Sequence, residues 1–161
     1  MDIKKTDKPY TAREFKVLCV RECPVTNRIE TPEQVKSFWF EHVTGAAWFV
    51  QEKEIMVTLC LNTRHKVTAF ELCAIGLLDT LLVHPREIFR MAVIQNASAL
   101  VLVHCHPSGD TSPSEADIKV TRDLIRAGQL LKIEVIDHVI VGAKADDKAT
   151  SLREAGYFCT A

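Results

Sequence analysis

The sequence predicts an α/β or α+β domain in which helices flank a mixed central sheet. Three observations carry this expectation. Short apolar runs at residues 55–61, 99–103 and 133–141 read as strands. Segments between them repeat apolar residues at steps of three and four, the pattern of a helix with one buried face. The two kinds mix along the chain, which places helices against a sheet.

Taken in order, residues 1–12 are a polar leader, and residues 15–20 alternate loosely enough to suggest a strand. Thr31-Pro32-Glu33-Gln34 reads as a helix start: Thr31 caps, Pro32 takes the first helical position, and Gln34 completes a capping box. Val35, Phe38, Trp39 and His42 follow at helical spacing, and Gly45 is the expected stop. Residues 55–61, the turn Asn62-Thr63-Arg64 and residues 66–72 then read as a hairpin. Residues 85–95 open with Pro85 and carry Ile88, Phe89, Ala92 and Val93 on one helical face. Residues 99–103 have the continuous apolar character of a buried strand. Residues 107–113 are dense in Pro, Ser, Gly and Asp and form a loop. Ser114 starts a helix whose apolar stripe is expected at Val120, Leu124, Ala127 and Leu131. Residues 133–141 are the last predicted strand. This divides the chain into an N-terminal extension, residues 1–48, and a main domain, residues 49–161. The helix of the extension either packs on the main core or serves a partner.

The 161 residues suffice for one domain around one core. A composition of 47% hydrophobic and 25% charged residues is that of a folded globule. A net charge of −1 gives no support for strong binding to nucleic acid or to an anionic membrane. No apolar stretch approaches the roughly 18 residues of a membrane span, and the polar N-terminus has no signal-peptide core. A cytoplasmic location is therefore expected. The six cysteines, at positions 19, 23, 60, 73, 105 and 159, form no CxxC pair and read as reduced, mostly buried residues. Cys19 and Cys23 are a weak metal or disulfide hint.

The chemistry concentrates in one segment. His104 and His106 flank Cys105 at the end of a predicted strand, and strand residues two apart share a face. Both imidazoles can therefore address one point. Asp117 follows in the first turn of the next helix, and the loop between is long enough to bring its carboxylate alongside. Two nitrogens and one carboxylate leave a fourth position open, the layout of a catalytic zinc. Ser114 and Asp117 also fit a simple helix-capping box.

His104-Cys105-His106-Pro107-Ser108-Gly109-Asp110 and Pro113-Ser114-Glu115-Ala116-Asp117 resemble the JAMM (MPN-plus) metalloprotease motif. That motif is His-x-His, seven residues, Ser, two residues and Asp, with a Glu well upstream. Val83-His84-Pro85-Arg86-Glu87-Ile88-Phe89, Thr121, Ala127-Gly128 and Asp137-His138-Val139-Ile140-Val141-Gly142 resemble its RadC branch. The likeness covers about residues 50–158. It implies a cytidine-deaminase-like, mixed central sheet, and a Zn2+ held by His104, His106 and Asp117. It further implies a Glu acting as general base and then acid, and a Ser that helps hold the oxyanion, here Ser114. Glu54, heading the strand Ile55-Met56-Val57, is the match for the Glu. Glu52, on the same strand face but further out, and Glu71, at the end of the partner strand, are the rivals.

Two departures stand out. RadC proteins commonly have Asn where this chain has Cys105; as a strand neighbour of two ligands it should point away from them and be buried and inert, the other reading being a reactive thiol. Residues 1–48 show no Gly-x-Gly hairpin of the helix-hairpin-helix kind, so the chain reads as a short form and a DNA-binding role loses its usual support. His138 is either a partner that orients a ligand or a core histidine satisfied by backbone, the second being preferred here. His42, His65 and His84 read as structural or surface residues. The expected activity is zinc-dependent hydrolysis of a peptide or isopeptide bond in a protein or peptide substrate. The alternative is a non-catalytic or DNA-repair-associated module. Pairing through a sheet edge is one route to a homodimer, but no residue pattern marks an interface.

Overall fold

In a computed structural model, which describes residues 28–76 and 83–158, five strands form one sheet. They are β1 (Glu54–Leu61), β2 (Val67–Gly76), β3 (Ala99–Cys105), β4 (Glu134–Val141) and β5 (Ala149–Ser151), ordered β2-β1-β3-β4-β5. β1 lies antiparallel to both β2 and β3, β3 and β4 are parallel, and β5 returns antiparallel to β4. Three helices, α1 (Pro32–Phe38), α2 (Pro85–Ile94) and α3 (Glu115–Leu131), complete the α/β fold expected for this residue pattern. The parallel β3–β4 pair requires a crossover, and α3 is that crossover. The strand predicted over residues 15–20, together with Cys19, Cys23 and Cys159, lies outside the described residues.

Alternation along the strands divides the interior into two cores. Ile55, Val57, Leu59 and Leu61 of β1, Val101 and Val103 of β3, and Val139 and Val141 of β4 point to one face. There they meet Val35 and Phe38 of α1 and Trp39 just beyond it. Met56 and Cys60, Leu100 and Leu102, and Val135 point to the other face, against Ile88, Phe89 and Ala92 of α2 and Leu124 of α3. Each wholly buried aliphatic or aromatic side chain contributes about 1.5–3 kcal/mol, so both faces hold the sheet.

The start of α1 is as predicted. Thr31 Oγ1 accepts from the backbone N–H of Gln34, and Gln34 Oε1 accepts from that of Thr31, a reciprocal capping box. Beyond Phe38 the chain widens into a π-helical turn over Trp39–Val43 before the bend at Gly45.

Three expectations are corrected. β2 runs to Gly76 and not Leu72, so Glu71 lies mid-strand opposite Thr58. β5 was not foreseen: three residues, Ala149-Thr150-Ser151, carry too little apolar character to signal a strand. The buried face of α3 is Ile118, Thr121, Leu124 and Gly128, with Val120 and Ala127 only partly buried and Leu131 48% exposed. The apolar residues mislead because two inward positions are filled for other reasons. Thr121 is buried because its hydroxyl is bonded. Gly128 is there because a Cβ would stand 2.5 Å from the Ile133 carbonyl oxygen, closer than atoms approach. No helix among the described residues is long and apolar enough to cross a membrane.

Candidate metal centre

β3 extends through Cys105 and so carries His104 inside the sheet, on the α2–α3 side, at 1% exposure. Cys105 faces the opposite, apolar core, and His106 follows with its backbone N–H donating to the Val141 carbonyl at 2.9 Å. The loop over residues 107–113 then returns the chain to Ser114, where α3 begins. Ser114 Oγ accepts from the Asp117 N–H at 3.1 Å, and Asp117 Oδ2 accepts from the Ser114 N–H at 2.8 Å and hydroxyl at 2.6 Å. The capping box thus uses Oδ2 and orients the carboxylate so that Oδ1 faces His104 Nε2 at 3.3 Å. The capping box and a carboxylate turned toward the histidines are therefore compatible in Ser114-x-x-Asp117.

The result is one point of convergence. His104 Nε2 and His106 Nε2 stand 2.9 Å apart, and one ligand atom from each of His104, His106 and Asp117 lies within 4.8 Å of the others. Donors about 2.0–2.1 Å from a tetrahedral ion stand about 3.3 Å apart, so this cluster is the right size for a metal. The proton placement agrees. His106 Nδ1 lies 2.7 Å from the Asp110 carbonyl oxygen, which can only accept. Nδ1 therefore carries a hydrogen, which leaves Nε2 as the nitrogen that can act as a ligand. Burial pushes the His104 ring pKa down to about 4, with Asp117 opposing and His106 reinforcing the shift. A ring neutral at physiological pH is the form a metal binds.

Glu54, at the head of β1, places Oε1 3.9 Å from His106 Nε2. The two rival glutamates are elsewhere: Glu52 is exposed in the turn before β1, and Glu71 pairs with Arg90 of α2. Cys105 is buried, and burial pushes its thiol up to about 11, so it stays protonated near neutrality. His84 caps α2 through Nδ1, accepting from the Arg86 N–H at 3.3 Å. His138 is fully buried, but its ring meets side chains and not the backbone the sequence suggested: Nε2 is 2.7 Å from His104 Nδ1, and Nδ1 is 2.6 Å from Thr121 Oγ1. Its pKa is held well below the usual imidazole range by burial and then by His104 and His106. Thr121 carried no role in the sequence reading. Its signals were its place in the RadC-like pattern and its position four residues after Asp117 on the inward face of α3. Asp110 contributes a carbonyl oxygen, which no residue pattern reveals.

With this geometry in hand, the comparisons with known proteins are specific. A family model described as a RadC-like JAB domain matches residues 29–157. A UPF0758 protein of Caldanaerobacter subterraneus subsp. tengcongensis is 42% identical over 130 residues, 81% of this chain and 52% of its own length. A UPF0758 protein of Alkaliphilus metalliredigens is 44% identical over 127 residues, 79% of this chain and 51% of its own. A UPF0758 protein of Desulforamulus reducens is 46% identical over 105 residues, 65% of this chain and 45% of its own. The chain therefore spans about half the length of the curated relatives it matches.

Proposed function

Because the chain belongs to the RadC-like JAB domain family, we propose that it is a zinc-dependent hydrolase that cleaves a peptide or isopeptide bond. The observation that carries this reading is the convergence of His104, His106 and Asp117 with Glu54 beside them. Two imidazoles and one carboxylate suit zinc, and three protein ligands are the number found in catalytic sites. Zinc at such a position supplies Lewis acidity, lowering the pKa of water toward neutrality and polarising a carbonyl.

The chain's own groups then divide the work. His104, His106 and Asp117 hold the ion. Glu54 takes the proton of the attacking water and returns it to the leaving amine, a base followed by an acid at one carboxylate. Ser114 sits at the rim, as the exposed N-cap of α3. In the resting arrangement its hydroxyl donates to Asp117 Oδ2, and rotation of that hydroxyl offers a hydrogen to the oxyanion. A protein or peptide is the substrate class this chemistry serves.

The test is metal analysis joined to a substrate screen. Purified protein should hold about one zinc per chain. A screen across peptide, isopeptide and nucleic-acid bonds should find hydrolysis of an amide, and Glu54→Gln should keep the zinc while losing about 10²–10⁴-fold in rate. Full activity in Glu54→Gln would move the base elsewhere. Cleavage or salt-sensitive binding of DNA alone would favour the repair-associated reading.

A further inference from the structure

The ring of His104 has a close nitrogen neighbour on each side, His138 Nε2 at 2.7 Å from Nδ1 and His106 Nε2 at 2.9 Å from Nε2, and the placement of its single proton decides whether it can bind a metal. Nε2 must offer a lone pair, so the proton must sit on Nδ1. The packing behind the ring determines this. Thr121 Oγ1 lies 2.6 Å from the Asp117 carbonyl oxygen and 2.6 Å from His138 Nδ1. A carbonyl only accepts, so a contact that short consumes the one hydroxyl hydrogen of Thr121. Thr121 must then accept from His138 Nδ1–H. His138 is fully buried and pairs with no carboxylate among the described residues, which keeps its ring neutral and leaves a lone pair on Nε2. That nitrogen is 2.7 Å from His104 Nδ1, so the proton between them belongs to His104.

We propose that Thr121 and His138 are positioning residues that fix His104 in its Nδ1–H form, so that Nε2 is presented as a ligand before any metal arrives. The relay starts on the backbone of Asp117 and ends on the ring of His104. It thereby couples two of the three ligands across α3, β4 and β3. The reverse proton order, from Thr121 through His138 and His104 to His106, would leave the Asp117 carbonyl facing a bare hydroxyl oxygen at 2.6 Å and place a proton where the metal belongs.

This inference rests on the metal reading above, and its test separates the two. Side-chain ¹⁵N NMR of the metal-free protein reads the His104 tautomer directly, and competition with a chromophoric chelator reads zinc affinity. The expected results are Nδ1–H on His104 and a zinc Kd raised about 10–100-fold in Thr121→Val, the usual effect of losing an outer hydrogen-bond partner. His138→Phe should lose at least as much, and His138→Gln, whose amide oxygen can accept from His104 Nδ1–H, should recover most of it. An Nε2–H tautomer in the wild type, or a Thr121→Val Kd within about twofold of it, overturns the proposal. If His138→Phe fails to fold, the near-isosteric Thr121→Val and the tautomer decide alone. A wild type that binds no zinc would sink the metal reading, while the tautomer would still decide the relay.

Discussion

On the α1 side of the sheet, Ile55, Val57, Leu59, Val101, Val103 and Val139 pack almost wholly against other apolar groups. The one buried carboxylate there among the described residues, Asp137, is satisfied by the Ser151 hydroxyl at 2.6 Å and by the backbone N–H groups of His138 and Arg153. On the α2–α3 side, Met56, Leu100 and Leu102 share the interior with Thr58, Thr121, His104 and His138. The same strands build both faces, since alternation assigns each side chain, with its phase reset in β4 by the irregularity between Val135 and Asp137. A sheet can therefore keep one face for stability and give the other to chemistry, provided each buried polar group is bonded to another.

The largest expected effects come from crossing the two faces. His104→Ala removes a proposed ligand and leaves His138 Nε2 without its ring partner. Dialysed mutant protein should retain essentially no zinc, against about one per chain in the parent. Leu59→Ala, one strand away on the apolar face, should cost about 2–5 kcal/mol in denaturant unfolding and leave the zinc content unchanged. Zinc retained by His104→Ala would refute the ligand assignment. Zinc lost from Leu59→Ala would show that the faces are not independent.

A smaller effect probes how α3 seats on the functional face. In Gly128→Ala the new methyl would meet the Ile133 carbonyl oxygen at 2.5 Å and Phe89 and Val135 at 3.3 Å. The alanine gains about 1 kcal/mol of helix propensity. Overpacking against backbone costs about 1–3 kcal/mol, and more where nothing can yield. Net destabilisation is expected, read as a lower unfolding midpoint. A raised midpoint would mean that α3 can move outward without penalty.

The same contrast explains what could be read from sequence. The apolar face advertises itself, because Ile55, Val57, Leu59, Val101 and Val103 are buried for the property that pattern reading detects. The convergence of His104, His106 and Asp117 was legible through spacing, and the placement of Glu54 beside them through its position at a strand head. The inward face of α3 was misplaced because Thr121 is held by hydrogen bonds and Gly128 by close approach, neither of which is hydrophobic. His138 looked like a core histidine satisfied by backbone; it is buried, but its ring is bonded to Thr121 and His104. Only the register of β3 against β4, which pairs Leu102 with His138, puts its ring behind His104. Tertiary neighbours of that kind leave no trace in local pattern.

The smallest expected effect lies at the cap of α1, which covers only the apolar face. Thr31→Ala removes the hydroxyl that accepts from the Gln34 N–H at 3.3 Å. That N–H also reaches the Thr31 carbonyl at 3.1 Å, and Gln34 Oε1 still accepts from the backbone of Glu30 and Thr31. Losing a cap costs about 0.5–2 kcal/mol; with these contacts remaining, the lower end applies, and Thr31→Ser should restore the loss. Zinc affinity in Thr31→Ala should equal that of the parent. A measurable weakening would mean that strain at α1 reaches His104 through the β1–β3 pair, where Met56 lies opposite it, and that the division between the two faces is one of composition but not of energy.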